Sequence, residues 1–359
     1  MVHAADGLLA MLRWVLAVLS AQLVLFILAG AWIQRRRERL NRFRIECNRR
    51  WERELVTFLY VDDRIAPFAA LTPAERRLFI PFLLRTLAIL AGREGAAIQG
   101  LYKRLRLSEG LPRRLRSRQT KVRALAALEV GTFQVEALYP RMREMLNDPV
   151  PFVAHTAARS LASSRRLEHA GPVLDWVLTQ DSFQMERQLW VLEGFGPGFL
   201  EWLGARLEGQ ARLGFREWIL YAKVAASTRA VANPDRLVAM LAFPDLEARL
   251  SALKALAAVG FPEAQPAVEP FIRDPEWVLR AHAALAIGVL AGSQAVPSLL
   301  DLMADPVFAV RRNAALSLSR LGAAGLQALG RLAEAADADP FARDLALDRL
   351  QWQSYQVRP

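Results

Sequence analysis

Cysteine is almost absent from this 359-residue chain: Cys47 stands alone, so no internal disulfide can form and no cysteine cluster can hold a metal. Histidine is nearly as scarce. His3, His155, His169 and His282 are scattered, and none has a metal-ligand spacing to another histidine, cysteine or carboxylate. No nucleophile elbow, phosphate-binding loop or metalloprotease motif occurs. The stretch Gly194-Phe195-Gly196-Pro197-Gly198 carries a proline and follows no strand pattern, so it reads as an interhelical turn. Asp62 and Asp63 are adjacent, but no further carboxylate or histidine clusters near them, and they read as turn residues. These absences leave no catalytic residue, no cofactor site and no metal site to assign, and the sequence points to a protein that is not an enzyme. A hydrophobic content of 53% excludes a disordered chain.

Net charge is scarce in most of the chain and concentrated in one part of it. Residues 34–123 hold 23 Lys and Arg against 9 Asp and Glu, whereas residues 124–359 hold 23 against 26. The net charge of +11 therefore belongs to the front of the molecule, and the remainder is close to neutral.

That near-neutral remainder is periodic. Asp274-Pro275, Val278-Leu279-Arg280 and Ala283-Ala284-Leu285 are answered in the same register by Asp305-Pro306, Val310-Arg311 and Ala314-Ala315-Leu316. The register extends to Arg249 on one side and Arg343 on the other, and reappears upstream at Arg123 and at Asp148-Pro149, where Ala154 replaces the arginine. Arg187 and Arg216 are looser matches between them. A period in this range marks a stack of helical repeats, each a helix pair that buries its apolar faces only against its neighbours. In the clearest repeat, Val296, Leu299, Leu300 and Met303 form one apolar helix face, and Val310, Ala314, Leu318 and Leu321 form the next. Asp305 is expected to cap that second helix with Pro306 at its first position, and Gly322 to end it in a left-handed turn. The arginine six residues after the aspartate is expected to bond aspartates or loop carbonyls of its own or the adjoining repeat. Asp148, Asp274, Asp305, Arg123, Arg249, Arg280, Arg311 and Arg343 would then form a structural ladder.

This pattern, Asp-Pro…Val-Arg…Ala-Ala-Leu…Gly, resembles the HEAT-like repeats of the phycobilisome-lyase type. The resemblance covers residues 112–351, is strongest at 244–343 and weakest at 179–230. It implies an all-α fold, an α-solenoid of HEAT-like helix pairs, and a function in docking a protein partner along a long curved face. HEAT-like proteins also include DNA-binding members, bilin lyases and enzymes that excise DNA bases, which keeps membrane-proximal nucleic-acid binding and an unrecognised lyase-like activity as alternatives.

Ahead of the repeats, Trp14–Ile33 is a run of twenty residues without a charge, and a helix of that length spans about 30 Å, the thickness of a bilayer core. Arg35, Arg36, Arg37, Arg39 and Arg42 follow it, and such a cluster is retained in the cytoplasm and attracts anionic lipid headgroups. The expectation is a single-pass protein of a bacterial inner membrane, with its N-terminal side outside and its repeats cytoplasmic. A cleavable signal peptide ending near Ala29-Gly30-Ala31 is opposed by the arginines just past that site. Segment 1–33 is thus the membrane segment, and 34–60 a basic amphipathic helix with Leu40, Phe43, Cys47, Trp51, Leu55 and Phe58 on one side. Thr72-Pro73-Ala74-Glu75 is a capping box, and residues 72–111 form an N-terminal helical cap. Residues 352–359 are a C-terminal tail.

Two surfaces remain. The basic run from Lys103 to Arg123 has no aromatic residues for stacking after Tyr102, which disfavours nucleic acid and favours a face beside the membrane. In the least regular region, Trp176, Trp190, Trp202 and Trp218 are candidates for a partner surface or for core filling where alanines are missing. Membrane-anchored HEAT-like proteins of this look occur beside exopolysaccharide glycosyltransferases. The resemblance therefore implies a membrane-embedded glycosyltransferase as partner.

Overall fold

The computed structural model describes residues 2–209 and 214–356, without the side chains of residues 2–13, 15–21, 182–184 and 353–356. Among the described residues all regular structure is helical, and the chain divides into two compact units, Met1–Arg116 and Ser117–Pro359.

In the first unit one helix runs from Val2 to Tyr60, so the basic amphipathic segment continues the preceding helix without a break. Its second half gains a core because its apolar residues recur on one side. Cys47, Trp51, Leu55 and Phe58 are buried, whereas Leu40 and Phe43 are exposed. Trp51 lies edge-on to Phe79 with ring centroids 5.0 Å apart, and Phe68 stacks on Phe79 at 5.4 Å. Phe79 belongs to the helix Pro73–Leu87, which begins as its sequence dictates. The Glu75 backbone N–H donates to Thr72 Oγ1 at 3.3 Å, and the Thr72 N–H donates to the Glu75 carboxylate at 2.8 Å. Arg50 pairs with that same carboxylate, tying the long helix to the start of the next. The helix Gly92–Arg104 completes the group.

No helix among the described residues is long and apolar enough to cross a membrane. The predicted span Trp14–Ile33 falls partly outside them, because the side chains of residues 15–21 are not described. Where side chains are described, Trp14, Leu23 to Leu28, Trp32 and Ile33 are all exposed.

The second unit is a stack of helix pairs. The helices Thr120–Thr132, Pro151–Ser163, Leu189–Glu193, Phe215–Thr228, Leu246–Val259, Trp277–Leu290, Phe308–Arg320 and Pro340–Gln356 each pack on the next and make a continuous layer. Shorter helices, among them Val296–Leu302, alternate with them. Small side chains let the layer close. Ala281, Ala283, Ala284, Ala286, Ala314 and Ala315 are all buried on facing helices. Gly288 and Gly131 go further: a Cβ on Gly288 would lie 2.8 Å from Ser317 Cβ, and one on Gly131 would lie 2.5 Å from Ser160 Cβ. Gly322 takes a positive φ of 62°, the left-handed turn its position calls for.

Two expectations about element ends are corrected. Asp305 does not cap the next helix, and Pro306 is not its first residue. That helix starts at Phe308, and Asp305 Oδ1 instead accepts from the Val307 N–H at 2.8 Å in a tight local turn. Asp148 and Asp274 do the same to Val150 and Glu276. The tail predicted from residue 352 is also helical as far as Gln356, since no glycine or proline interrupts Trp352-Gln353-Ser354-Tyr355-Gln356.

Candidate functional site

The ladder is built from a repeated four-part grip. Arg280 Nη1 donates to the carbonyls of Asp274 at 2.8 Å and Pro275 at 3.0 Å, which fixes it to the loop opening its own repeat. Its other edge, Nε and Nη2, donates to both oxygens of Asp305 in the next repeat at 2.7 and 3.2 Å. Arg123 repeats this geometry with the Ser117 and Arg118 carbonyls and with Asp148, both carboxylate bonds being 2.9 Å. Arg249 pairs with Asp274 more loosely, at 3.6 Å. Burial pushes the Asp305 and Asp148 carboxyls up, but the bonds from Arg280 or Arg123 and from the local backbone N–H outweigh it. Both sit below the ordinary range. A bidentate guanidinium–carboxylate pair is directional, so it fixes the register between repeats as well as adding stability.

This grip explains the corrected caps. At Asp148 and Asp305 the oxygens taken by the previous repeat's arginine hold the carboxylate back from the helix end. No such bond reaches Asp339 or Asp245 among the described residues, and there the carboxylate caps the helix, accepting from Ala342 N–H at 3.0 Å and from Ala248 N–H at 2.8 Å. Pro340 then does open its helix.

A second set of links was not anticipated from the sequence. Ser160 Oγ donates to the Ala127 carbonyl and Ser317 Oγ to the Ala284 carbonyl, each at 2.8 Å, and Asn313 Nδ2 donates to the Ala281 carbonyl at 2.8 Å. Each glycine noted above lies four residues past a carbonyl acceptor and faces its serine. The signal was present as one Gly…Ser spacing used twice, by Gly131 with Ser160 and by Gly288 with Ser317.

Arg311 and Arg343 complete the ladder in sequence only. Arg311 Nη1 binds the Asp305 and Pro306 carbonyls at 2.6 and 3.1 Å, yet Ala336 stands where the next carboxylate would be. Asp337 follows one residue later, exposed and in no ion pair among the described residues, and the aspartate of the Asp-Pro pair, Asp339, comes three residues later. Neither Arg311 nor Arg343 has an ion-pair partner among the described residues, and the Nε of each is buried without an acceptor.

The four tryptophans divide. Trp190 is exposed, whereas Trp176, Trp202 and Trp218 are half-buried, and Phe195, Phe199 and Tyr221 fill the core between them. Trp190 lies 5.1 Å from His155 and under Arg159. Burial holds the imidazoles of His155, His169 and His282 below their usual pKa, so they are neutral near pH 7.

The most regular surface feature lies elsewhere. Phe215, Leu246, Trp277 and Phe308 open their helices at equal intervals, one to a repeat, and Phe152 and Phe341 are second in theirs. These six are between 39% and 67% exposed. Phe183 keeps the same register in sequence, but its side chain lies outside the described residues. The row runs along the start of consecutive stacked helices. Arg311 ties two of its members together, its Cζ 5.9 Å from the Phe308 ring centroid and 5.5 Å from that of Phe341. The Asp-Pro-x-Trp and Asp-Pro-x-Phe spacing carried this row in the sequence, one position beyond the residues that mark the repeat. Of the predicted lipid contacts, Arg35, Arg36, Arg37, Arg39 and Arg42 are all exposed. Arg37 joins Arg44 and Arg77 around a groove of about 450 Å³ floored by Leu40, Phe43 and Leu78.

Stacked helix pairs with an inter-repeat ladder define an α-solenoid. A model of HEAT repeats matches residues 233–319 and 268–351, so over this stretch the all-α solenoid is similar to that family. No curated protein matches. Among solved structures, an engineered protein aligns over 80% of this chain and 92% of its own, at 16% identity and a TM-score of 0.37. A chain from the structure describing Kap95p binding to RanGDP aligns over 80% and 46%, at 14% identity and 0.44. One from the complex of CpcE and CpcF of phycocyanin lyase from Nostoc sp. PCC7120 aligns over 69% and 88%, at 20% identity and 0.26.

Proposed function

We propose that this protein is a membrane-anchored scaffold whose HEAT-repeat solenoid docks a protein partner and performs no catalysis. The observation that carries the docking is the row Phe152, Phe215, Leu246, Trp277, Phe308 and Phe341. One large apolar side chain per repeat, held at a fixed spacing on a rigid stack, offers many shallow anchors to an extended partner. A folded chain gains nothing by leaving such side chains in water, and ordered exposure of this kind marks interaction surfaces. Trp190 adds a further exposed aromatic, packed against His155 of the helix that carries Phe152.

Anchoring is supported by the exposed apolar side chains of Trp14, Leu23 to Leu28, Trp32 and Ile33 and by the arginines that follow them. In this reading Arg35 to Arg42 face anionic headgroups, the groove of Arg37, Arg44 and Arg77 takes one of them, and the repeats lie in the cytoplasm of a bacterial cell. Tethering raises the effective concentration toward a partner in the same membrane, and the partner class we favour is a membrane-embedded glycosyltransferase.

The test is a mild-detergent purification of the tagged full chain alongside its Trp277→Ser/Phe308→Ser variant. Stoichiometric recovery of a membrane enzyme that the variant loses, with the variant's melting temperature within a few degrees of the parent, supports docking along the row. Recovery of nuclease-sensitive nucleic acid instead would move the function to the run from Lys103 to Arg123, and equal recovery by both proteins would remove the row from the site.

A further inference from the structure

Arg311 repeats the posture of the ladder arginines with one element missing. Arg123 and Arg280 bind two loop carbonyls through Nη1 and a carboxylate of the next repeat through Nε and Nη2. Arg311 makes the same carbonyl bonds, so its guanidinium is held in the same orientation, but its Nε is buried with no hydrogen-bond acceptor and no carboxylate pairs with it among the described residues. The rings of Phe308 and Phe341, both exposed, stand to either side of it. A cation fixed in advance, with its bidentate edge unused and two aromatic surfaces beside it, matches an acidic side chain flanked by apolar ones.

We propose that the place occupied by Asp148 and Asp305 at their ladder arginines is filled at Arg311 by a carboxylate of the partner, an Asp or Glu in an extended peptide segment whose neighbouring apolar residues lie on Phe308 and Phe341. This deepens the docking reading and rests on it. The solenoid's own bonding scheme selects the ligand, because the same guanidinium edge already binds a carboxylate in two other repeats. Three features confine the site to this repeat. Asp339 follows Asp305 by 34 residues where Asp305 follows Asp274 by 31, Asp339 is occupied in capping its own helix, and Ala336 stands in the slot while the exposed Asp337 beside it makes no ion pair with Arg311 among the described residues. Phe341, at 67% exposure, has room to swing aside and admit the carboxylate to the buried Nε.

The experiment is a selection of random twelve-residue peptides displayed on phage against the purified full chain, with the Trp277→Ser/Phe308→Ser variant as the counter-selection. The expected outcome is a consensus with an Asp or Glu between large apolar residues. On the unmodified chain, replacing that acid by its amide should weaken binding by about tenfold, the difference a well-formed charge-assisted pair makes. Arg311→Gln should remove this preference for the acid, while Arg320→Gln, an exposed arginine at the end of the same helix, should leave it intact. The amide replacement needs no altered protein, so it stands even if Arg311→Gln unfolds. Peptides that depend on the row but bind equally well as acid or amide would overturn the inference and leave the docking reading in place. Absence of any peptide that distinguishes the chain from its counter-selection variant would overturn both.

Discussion

The repeats from Leu246 to Arg320 and the stretch from Ser182 to Thr228 belong to one stack but are held together differently. In the first, long helices of 13 or 14 residues meet through alanines and Gly288, and Arg249 and Arg280 each reach the aspartate of the next repeat. In the second, the layer helix Leu189–Glu193 has only five residues, and aromatics take the place of alanines: Phe195 stacks on Phe199 and Phe199 on Trp202, with centroids 5.6 and 5.7 Å apart. The links between repeats change as well. Arg236 binds both oxygens of Glu208 at 2.7 and 2.9 Å, and Lys223 bridges Glu186 and Glu247 at 3.7 and 3.2 Å. The difference teaches that the stack needs a directional tie at each joint but not the same one. Where the backbones approach closely, a buried arginine–aspartate grip fits. Where aromatic rings fill the joint instead of alanines, ion pairs involving more exposed carboxylates substitute.

The largest effect separating the two schemes comes from space. Gly288→Val would drive a side chain into Ser317 and break the Ser317–Ala284 bond, and overpacking of this kind costs about 3 kcal/mol or more. Chemical denaturation should show a lowered midpoint, and Gly131→Val should match it through Ser160. A loss under about 1 kcal/mol at both sites would mean that the regular joints are not closely packed.

Next come the ties themselves. Arg280→Leu leaves the Asp305 carboxylate, whose side chain is only 7% exposed, without its bidentate partner, and should cost about 3 kcal/mol. Arg236→Leu releases Glu208, which is half-exposed and rehydrates, so a clearly smaller loss than at Arg280 is expected. A double-mutant cycle on each pair measures the two couplings directly, and equal couplings would erase the distinction between the schemes.

Most of the regular scheme was legible in the sequence, because a periodic joint writes itself as a spacing. Asp305, Arg280 and the alanines recur once per repeat in a constant register, and that recurrence is the fold. The cap at Asp305 was misread for a physical reason: a side chain with two possible acceptor roles is assigned by its neighbour, and Arg280 approaches from another repeat. The serine-to-carbonyl links were missed for the same reason, being contacts between helices rather than patterns along one. The irregular stretch was the least legible, since one copy of a joint such as Arg236–Glu208 leaves no period to find. The exposed row stood in plain sight as Trp277 and Phe308, but only burial distinguishes an aromatic that faces solvent from one that fills the core.

Acid should weaken the stack in two stages. Burial keeps His155, His169 and His282 neutral, with folded pKa values below the ordinary 6.5. The unfolded chain therefore binds protons first as pH falls through 6.5, and the stability held above that point is lost progressively below it. The ladder carboxylates Asp148 and Asp305 follow. Their folded pKa values lie below the ordinary 3.8, so their contribution is intact above that value and declines as pH drops beneath it. Thermal melts from pH 7.5 to 3 should show both declines. Replacing His169, the most buried of the three, with Phe should shrink the first while leaving the second unchanged.

The smallest effect is a gain. Gly330 lies inside the helix Gly322–Glu334, and a Cβ there would meet nothing within 4 Å. Alanine removes backbone freedom from the unfolded chain and adds no clash, so Gly330→Ala should stabilise the protein by about 0.5–1 kcal/mol. Set beside Gly288→Val, it separates glycine kept for close approach from glycine that the stack does not require. A loss of stability at Gly330 would show that a side chain there does meet a neighbour, and that this glycine too is kept for close approach.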